Sequence, residues 1–295
     1  MSDPVVRAED LTKHFGAIRA VEGLDLTIRQ GEVFGYLGPN GAGKTTTIRL
    51  LLDFLRPTRG RAVVLGGSGT DPEIRRGIGY LPGDLRLDPA YRAAEVFEFF
   101  GALRGGVDQQ WVDSLLERFQ LDPNRPVGEL STGNRRKVGL VQAFMSRPEL
   151  LLLDEPTSGL DPLLQHEFNG LVREVSAAGA TVLLSSHVLR EVEALADRVG
   201  IVRQGRLVAL AGVDELRRGA RQRLDFHVAG EVSEADLARF RGAPEVVEVS
   251  SSPGVVHVVV EGSADGAVKA AARMEVVRVV SHDADLEDVF LRYYT

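Results

Sequence analysis

The chain has 295 residues, of which 44 % are hydrophobic and 26 % charged, the balance of a soluble globular protein longer than one average domain. Its net charge of −7 argues against a dedicated nucleic-acid binder, which carries a basic face, and its lack of cysteine excludes disulfides and thiolate-held metals. No apolar run approaches the roughly 18 residues of a membrane span, and Met1-Ser2-Asp3-Pro4 lacks the basic-then-apolar opening of a signal peptide, so a cytoplasmic location is expected.

Hydrophobic patterning predicts strands over 5–11, 20–28 and 33–37, with Gln30-Gly31 as the turn into the third. The intervening Lys13-His14-Phe15-Gly16 reads as a loop. Phe15 there is a core residue or an aromatic platform for a purine base, and His14 is a surface residue without an evident partner. The third strand runs into Gly38, Pro39, Asn40, Gly41, Ala42, Gly43, Lys44 and Thr45, then Thr46 and an amphipathic helix expected to reach residue 55. This fits G-x-x-x-x-G-K-[ST], in which backbone N–H groups close around phosphates at a helix N-terminus. Lys44 then reaches the terminal phosphates and Thr45 ligates Mg²⁺. A nucleoside triphosphate with its magnesium is the ligand this loop predicts.

Further on, short strands are expected at 61–65 and 78–82, after which the period becomes helical from about 90 to 147. A helix over 93–103 carries Val96, Phe97, Phe100 and Leu103, and one over 111–119 carries Trp111, Leu115, Leu116 and Phe119 on one face, with Trp111 read as core. Ser131 is placed to cap a helix over 135–145, and Arg135-Arg136-Lys137 reads as its solvated face. Leu150-Leu151-Leu152-Leu153 has the profile of a buried parallel strand, and Asp154 and Glu155 end it where open α/β sheets bind ligands. The aspartate can hold magnesium, and the glutamate can orient or deprotonate an attacking water. A helix follows Asp161-Pro162, and the strand over 181–186 delivers His187 to the same sheet edge.

These motifs in this order resemble the ATP-binding cassette of ABC transporters over about residues 4–215. The resemblance implies an α/β P-loop NTPase, with a RecA-like core, an antiparallel β subdomain and an α-helical subdomain at about 86–148. It also implies roles: Phe15 stacks on adenine, residues 38–46 hold the phosphates, Lys44, Glu155 and His187 are catalytic, and Thr45 and Asp154 bind the metal. Ser131 and the Gly133 backbone of the Leu130-Ser131-Thr132-Gly133-Asn134 signature contact the γ-phosphate held by a second copy, ATP being sandwiched between two cassettes, and Asp161 closes the D-loop at 158–161 as a further nucleotide-binding residue. Two departures stand out. The signature is usually Leu-Ser-Gly-Gly-Gln, and the family's magnesium-contacting glutamine is replaced by Gly83, with Asp84 one position later as a substitute oxygen.

By that resemblance the chain hydrolyses ATP to drive a separate membrane-spanning permease subunit, is similar to the ATPases of ABC-2-type drug and antibiotic exporters, and sits on the inner face of the cell membrane. A soluble cassette acting on a non-membrane partner and an ATP-gated binding module are the other function classes. After a linker at 217–221 the pattern resets to β-α-β-β-α-β and a last helix over 286–294, resembling a ferredoxin-like domain. Domains are therefore expected at 1–218 and 219–295.

Overall fold

The structure, a computed structural model, describes residues 4–218 and 221–282. Its elements in chain order begin with β1 (Val6–Phe15), β2 (Ile18–Ile28), β3 (Val33–Leu37), α1 (Lys44–Leu51), β4 (Arg59–Val64), α2 (Pro72–Arg76), β5 (Ile78–Leu81), α3 (Ala93–Leu103), α4 (Gln109–Arg118) and α5 (Thr132–Phe144). Next come β6 (Leu150–Asp154), α6 (Pro162–Ala177), β7 (Thr181–Ser186), α7 (Leu189–Glu193), β8 (Arg198–Arg203) and β9 (Arg206–Gly212). Last are α8 (Val213–Arg218), β10 (Arg221–Val228), α9 (Glu234–Arg241), β11 (Val246–Ser252), β12 (Val255–Glu261), α10 (Asp265–Ala271) and β13 (Val276–His282). The chain divides into two compact units after Leu210, ahead of the charge run at 217–221 that suggested a linker.

The first unit is built on a sheet of order β5-β6-β7-β3-β8-β9, in which β5, β6, β7, β3 and β8 are parallel. Every residue of β3, β6 and β7 is buried, as expected of strands covered on both faces. Helix α1 sends Ile48, Leu50 and Leu51 into a core shared with Phe34, Tyr36, Leu150, Leu152 and Leu183. Parallel strands end at one edge, so register decides what meets there. Leu37 pairs with Ser186, and Asp154 with Ser185. The loop after β3, the carboxylates after β6 and the histidine after β7 therefore emerge side by side, the position at which such sheets bind ligands.

A second, antiparallel sheet has the order β2-β1-β4. The stretch expected to be a loop at 13–16 is instead the far end of the β1/β2 hairpin, with Lys13 paired to Val21, His14 to Arg19 and Phe15 to Ile18. Pairing continues through those residues, with register shifts on either side of Lys13; the turn comes only at Gly16, φ 59°. Helix α1 stops at Leu51 rather than 55, and Asp53 with φ 54° takes the left-handed backbone that a continuing helix excludes. Ser131 is the N-cap of α5, its hydroxyl accepting from the Asn134 amide. Trp111 is buried, donating from Nε1 to the Phe144 carbonyl at 3.0 Å. Among Arg135, Arg136 and Lys137, the solvated-face reading fails at Arg136, which is buried where α5 packs on β5.

In the second unit four strands pair antiparallel in the order β11-β12-β10-β13. Helices α9 and α10 place Leu237, Phe240, Ala267 and Ala271 against Leu224, Phe226, Val256, Val258 and Val260. From β10 onward the element order is β-α-β-β-α-β. The helix expected over 286–294 lies outside the described residues. No helix among the described residues is long and apolar enough to cross a membrane.

Candidate active site

The loop between β3 and α1 turns at Gly41, φ 79°, and Gly43, φ 105°, conformations that cost an L side chain free energy. A Cβ on Gly43 would also lie 2.2 Å from the Ala20 carbonyl oxygen of β2, so glycine alone lets the loop close against that strand. Gly43 is the N-cap of α1 and no side chain caps it. The first amides of the helix thus face the loop with their partial positive charge, an arrangement that receives phosphate. Gly38 and Ala42 are buried, Pro39 and Asn40 are exposed, and Thr46 is half-buried.

Lys44 is buried, and its Nζ donates to the Gly38 carbonyl at 2.7 Å and the Pro39 carbonyl at 3.3 Å while pairing with Glu155 Oε1 at 3.1 Å. Thr45 Oγ1 donates to Asp154 Oδ2 at 2.6 Å. Asp154 is fully buried, and its other oxygen accepts from Ser185 Oγ at 2.5 Å. The Glu155 amide donates to Ser185 Oγ at 3.1 Å and to the Ser185 carbonyl at 3.2 Å. Its Oε2 is paired with His187 Nδ1 at 2.7 Å. A carboxylate only accepts, so the ring carries a proton on Nδ1. Lys44, Thr45, Asp154, Glu155 and His187 thus form one network, with Ser185, which the sequence reading passed over, at its centre. Glu155 sits at φ 50°, a left-handed backbone that its surroundings must enforce.

The Thr45 hydroxyl and the Asp154 carboxylate are hard oxygen donors beside a phosphate-binding loop. Among the described residues no group of three or more His, Cys, Asp or Glu could hold a metal by itself. One or two protein oxygens shared with phosphates is the donor set that suits Mg²⁺.

Phe15 is 45 % exposed, which overturns its reading as core; the Lys13 amine lies 5.1 Å from its ring centre. The hairpin that carries it flanks the loop, because Gly205 bridges the two, donating to the Ala42 carbonyl at 3.0 Å and accepting from the Glu22 amide at 2.8 Å. His14 is not partnerless, as its Nε2 pairs with Glu22 Oε2 at 2.8 Å. That partner lies across the hairpin and was invisible while the stretch was read as a loop.

Ser131, Gly133 and Asp161 stand outside the network. Ser131 Oγ accepts from the Asn134 amide at 3.2 Å, and Asp161 Oδ1 caps α6 by accepting from the Leu164 amide at 3.0 Å. A Cβ on Gly133 would come within 2.9 Å of the Gly159 carbonyl oxygen, so the signature turn packs on the 158–161 turn of its own chain. Asp84 is exposed, its carboxylate engaged by Arg86 at 2.8 Å. Gly83 instead lies against Asp154: a Cβ there would sit 2.9 Å from Asp154 Oδ2.

A family model described as "ABC transporter" matches residues 21–158. The chain is 32 % identical to Nod factor export ATP-binding protein I of Ralstonia nicotianae over 309 residues, which covers 99 % of this chain and 94 % of that protein. It is 40 % identical over 224 residues to a daunorubicin resistance ATP-binding protein of Streptomyces coeruleorubidus, 74 % of this chain and 71 % of that one. A solved ATP-binding subunit of an ABC transporter superposes with a TM-score of 0.68 and 30 % identity, covering 72 % of this chain and 92 % of the other. With phosphate loop, carboxylate pair and histidine converging on one sheet edge, and a relative aligned along nearly its whole length, the chain belongs to the ABC transporter family, as an ATP-binding cassette.

Proposed function

We propose that this chain hydrolyses ATP to power export of a small molecule through a separate membrane-spanning subunit, with two copies closing head to tail around the nucleotide. The observation that carries the hydrolytic part is the single network of Lys44, Thr45, Asp154, Glu155 and His187. In this reading the α1 amides and Lys44 bind the β- and γ-phosphates, and the exposed ring of Phe15 offers its face to the adenine. Thr45 and Asp154 hold Mg²⁺, which when bound neutralises charge on the phosphates. Glu155 takes a proton from the attacking water, and His187 holds the far carboxylate oxygen so that the near one keeps its aim. Ser131 and Gly133 of the second copy approach the γ-phosphate. Asp161 fixes the turn that supports them. Turnover rather than mere gating is favoured because a base and its orienting partner are both in place.

Export is supported by the relatives, whose names concern Nod factor export and daunorubicin resistance. A partner subunit is supported by a cleft of about 590 Å³ lined by Phe54, Tyr80, Leu87, Phe100 and Leu103 together with Arg75, Arg76, Arg86 and Arg104. Phe54 and Leu103 are more than half exposed there, a seat suited to a cytoplasmic helix of the permease. That seat would hold the chain at the inner membrane face. For the second unit we infer a ferredoxin-like domain that supports dimer contacts, a reading supported by its element order β-α-β-β-α-β. Glu155→Gln tests the core of the reading. ATP affinity should stay within a few-fold while turnover falls about a hundredfold or more, because a general base acts only in the transition state. Turnover at the wild-type rate would overturn it.

A further inference from the structure

Arg136 lies on α5, six residues past the start of the signature, and only 6 % of it is exposed. Its guanidinium meets main-chain carbonyls throughout. Nη1 donates to Pro82 at 2.6 Å and Gly83 at 3.2 Å, Nη2 to Asp154 at 2.5 Å and also to Glu155, and Nε to Pro156 at 3.5 Å. Burying a guanidinium is costly unless its donors are satisfied, and a lone helix–strand tie does not require a charge. The planar fork is suited to another task, holding several carbonyls in one fixed arrangement.

Those carbonyls belong to two segments that must agree for the site to work. The first holds Asp154 and Glu155, the latter in a left-handed backbone. Ser185 grips the Glu155 amide from one side, and Arg136 grips the carbonyls of residues 154 and 155 from the other. The second is the Pro82-Gly83 loop, which passes so near the Asp154 carboxylate that a Cβ on Gly83 would lie 2.9 Å from Oδ2. We propose that Arg136 is a positioning residue: its guanidinium clamps the Glu155 backbone so that the carboxylate is aimed for proton abstraction, and makes that aim depend on the seating of the Pro82-Gly83 loop. The inference rests on Glu155 being the base. Arg136 touches no substrate in this scheme and acts through the backbone that carries Asp154 and Glu155.

The test uses Arg136→Gln and Arg136→Lys in the full chain, each with and without Glu155→Gln, measuring ATP affinity, steady-state turnover and thermal unfolding. Arg136→Gln should lower kcat about 10- to 100-fold with ATP affinity within about twofold, the split expected when only transition-state stabilisation is lost. Arg136→Lys keeps the charge without the fork and should recover only part of that loss. Added to Glu155→Gln, neither change should cost more than about twofold further, since residues acting as a unit are non-additive. Wild-type turnover in Arg136→Gln overturns the proposal, as does full additivity. So does a parallel loss of ATP affinity and unfolding temperature in both variants, which marks a structural tie only. Normal turnover in Glu155→Gln alone overturns the base assignment and this inference with it, whereas an inactive Glu155→Gln beside a fully active Arg136→Gln removes this inference alone.

Discussion

The amine of Lys44 is held by two loop carbonyls and by Glu155, all oxygens that a phosphate can replace. Lys44→Ala should therefore weaken ATP binding itself about tenfold or more, the order of a charged hydrogen bond at ~1.5–3 kcal/mol; equilibrium titration with a fluorescent ATP analogue checks this, and unchanged affinity would count against the phosphate loop. At Gly83 the steric argument opposes the analogical one. Family resemblance invites Gly83→Gln as a repair, yet its Cβ would press on the Asp154 carboxylate, already fixed by Thr45 and Ser185. Gly83→Gln should thus lower turnover, and a gain would show that the loop can shift without strain. Asp84 sits in an exposed pair with Arg86, so Asp84→Ala should change stability by no more than about 0.5 kcal/mol and leave the rate unaltered.

Among the elements, β3, its loop and α1 were legible because each signal is local: an apolar run, glycines where the backbone needs them, and a helix of the right period. The carboxylates after β6 and His187 after β7 were legible for a related reason, since continuous apolar runs mark parallel strands whose ends share an edge. What failed was what only a distant partner defines. His14 and Phe15 belong to a hairpin whose pairing the sequence does not announce, and Arg136 sits in a charged triplet that looks like any solvated turn until β5 and the 154–156 segment cover it. Short α2 and α7, five residues each, carry too few residues for a clear helical period. At the start of α5, Ser131 serves the helix of its own chain and, by proposal, the partner's nucleotide. Ser131→Ala should cost about 1 kcal/mol in unfolding free energy through the lost cap, and Ser131→Arg should abolish hydrolysis without abolishing ATP binding.

For the whole molecule, the second unit contributes an acid-sensitive anchor. Burial alone would push the Asp225 carboxyl up, but hydrogen bonds from His257, Arg223 and His282 outweigh it and hold the group far below the usual carboxylate range. A depressed carboxylate stabilises the fold above its unfolded pKa of about 4 and loses that contribution as pH falls below it. Heat unfolding between pH 5 and pH 3 should therefore show a steeper fall for the wild type than for Asp225→Asn; equal slopes would remove the anchor. Because that unit carries no part of the hydrolytic network, ATPase activity at neutral pH should be the same in both proteins.

Glu155 and Ser131 sit in one polypeptide without sharing a hydrogen-bond network, the former tied to Lys44 and His187 and the latter only to its own helix. In a two-fold pair such residues work in opposite sites, and this has a genetic corollary. Ser131→Arg spoils the site its chain lends to the partner, and Glu155→Gln spoils the site its chain keeps. A mixed pair of the two concentrates both lesions in one site and leaves the other whole. Two inactive proteins combined in equal amounts should complement each other, restoring about a quarter of wild-type activity if chains exchange freely and sites act independently, since about half the pairs are mixed and each has one working site.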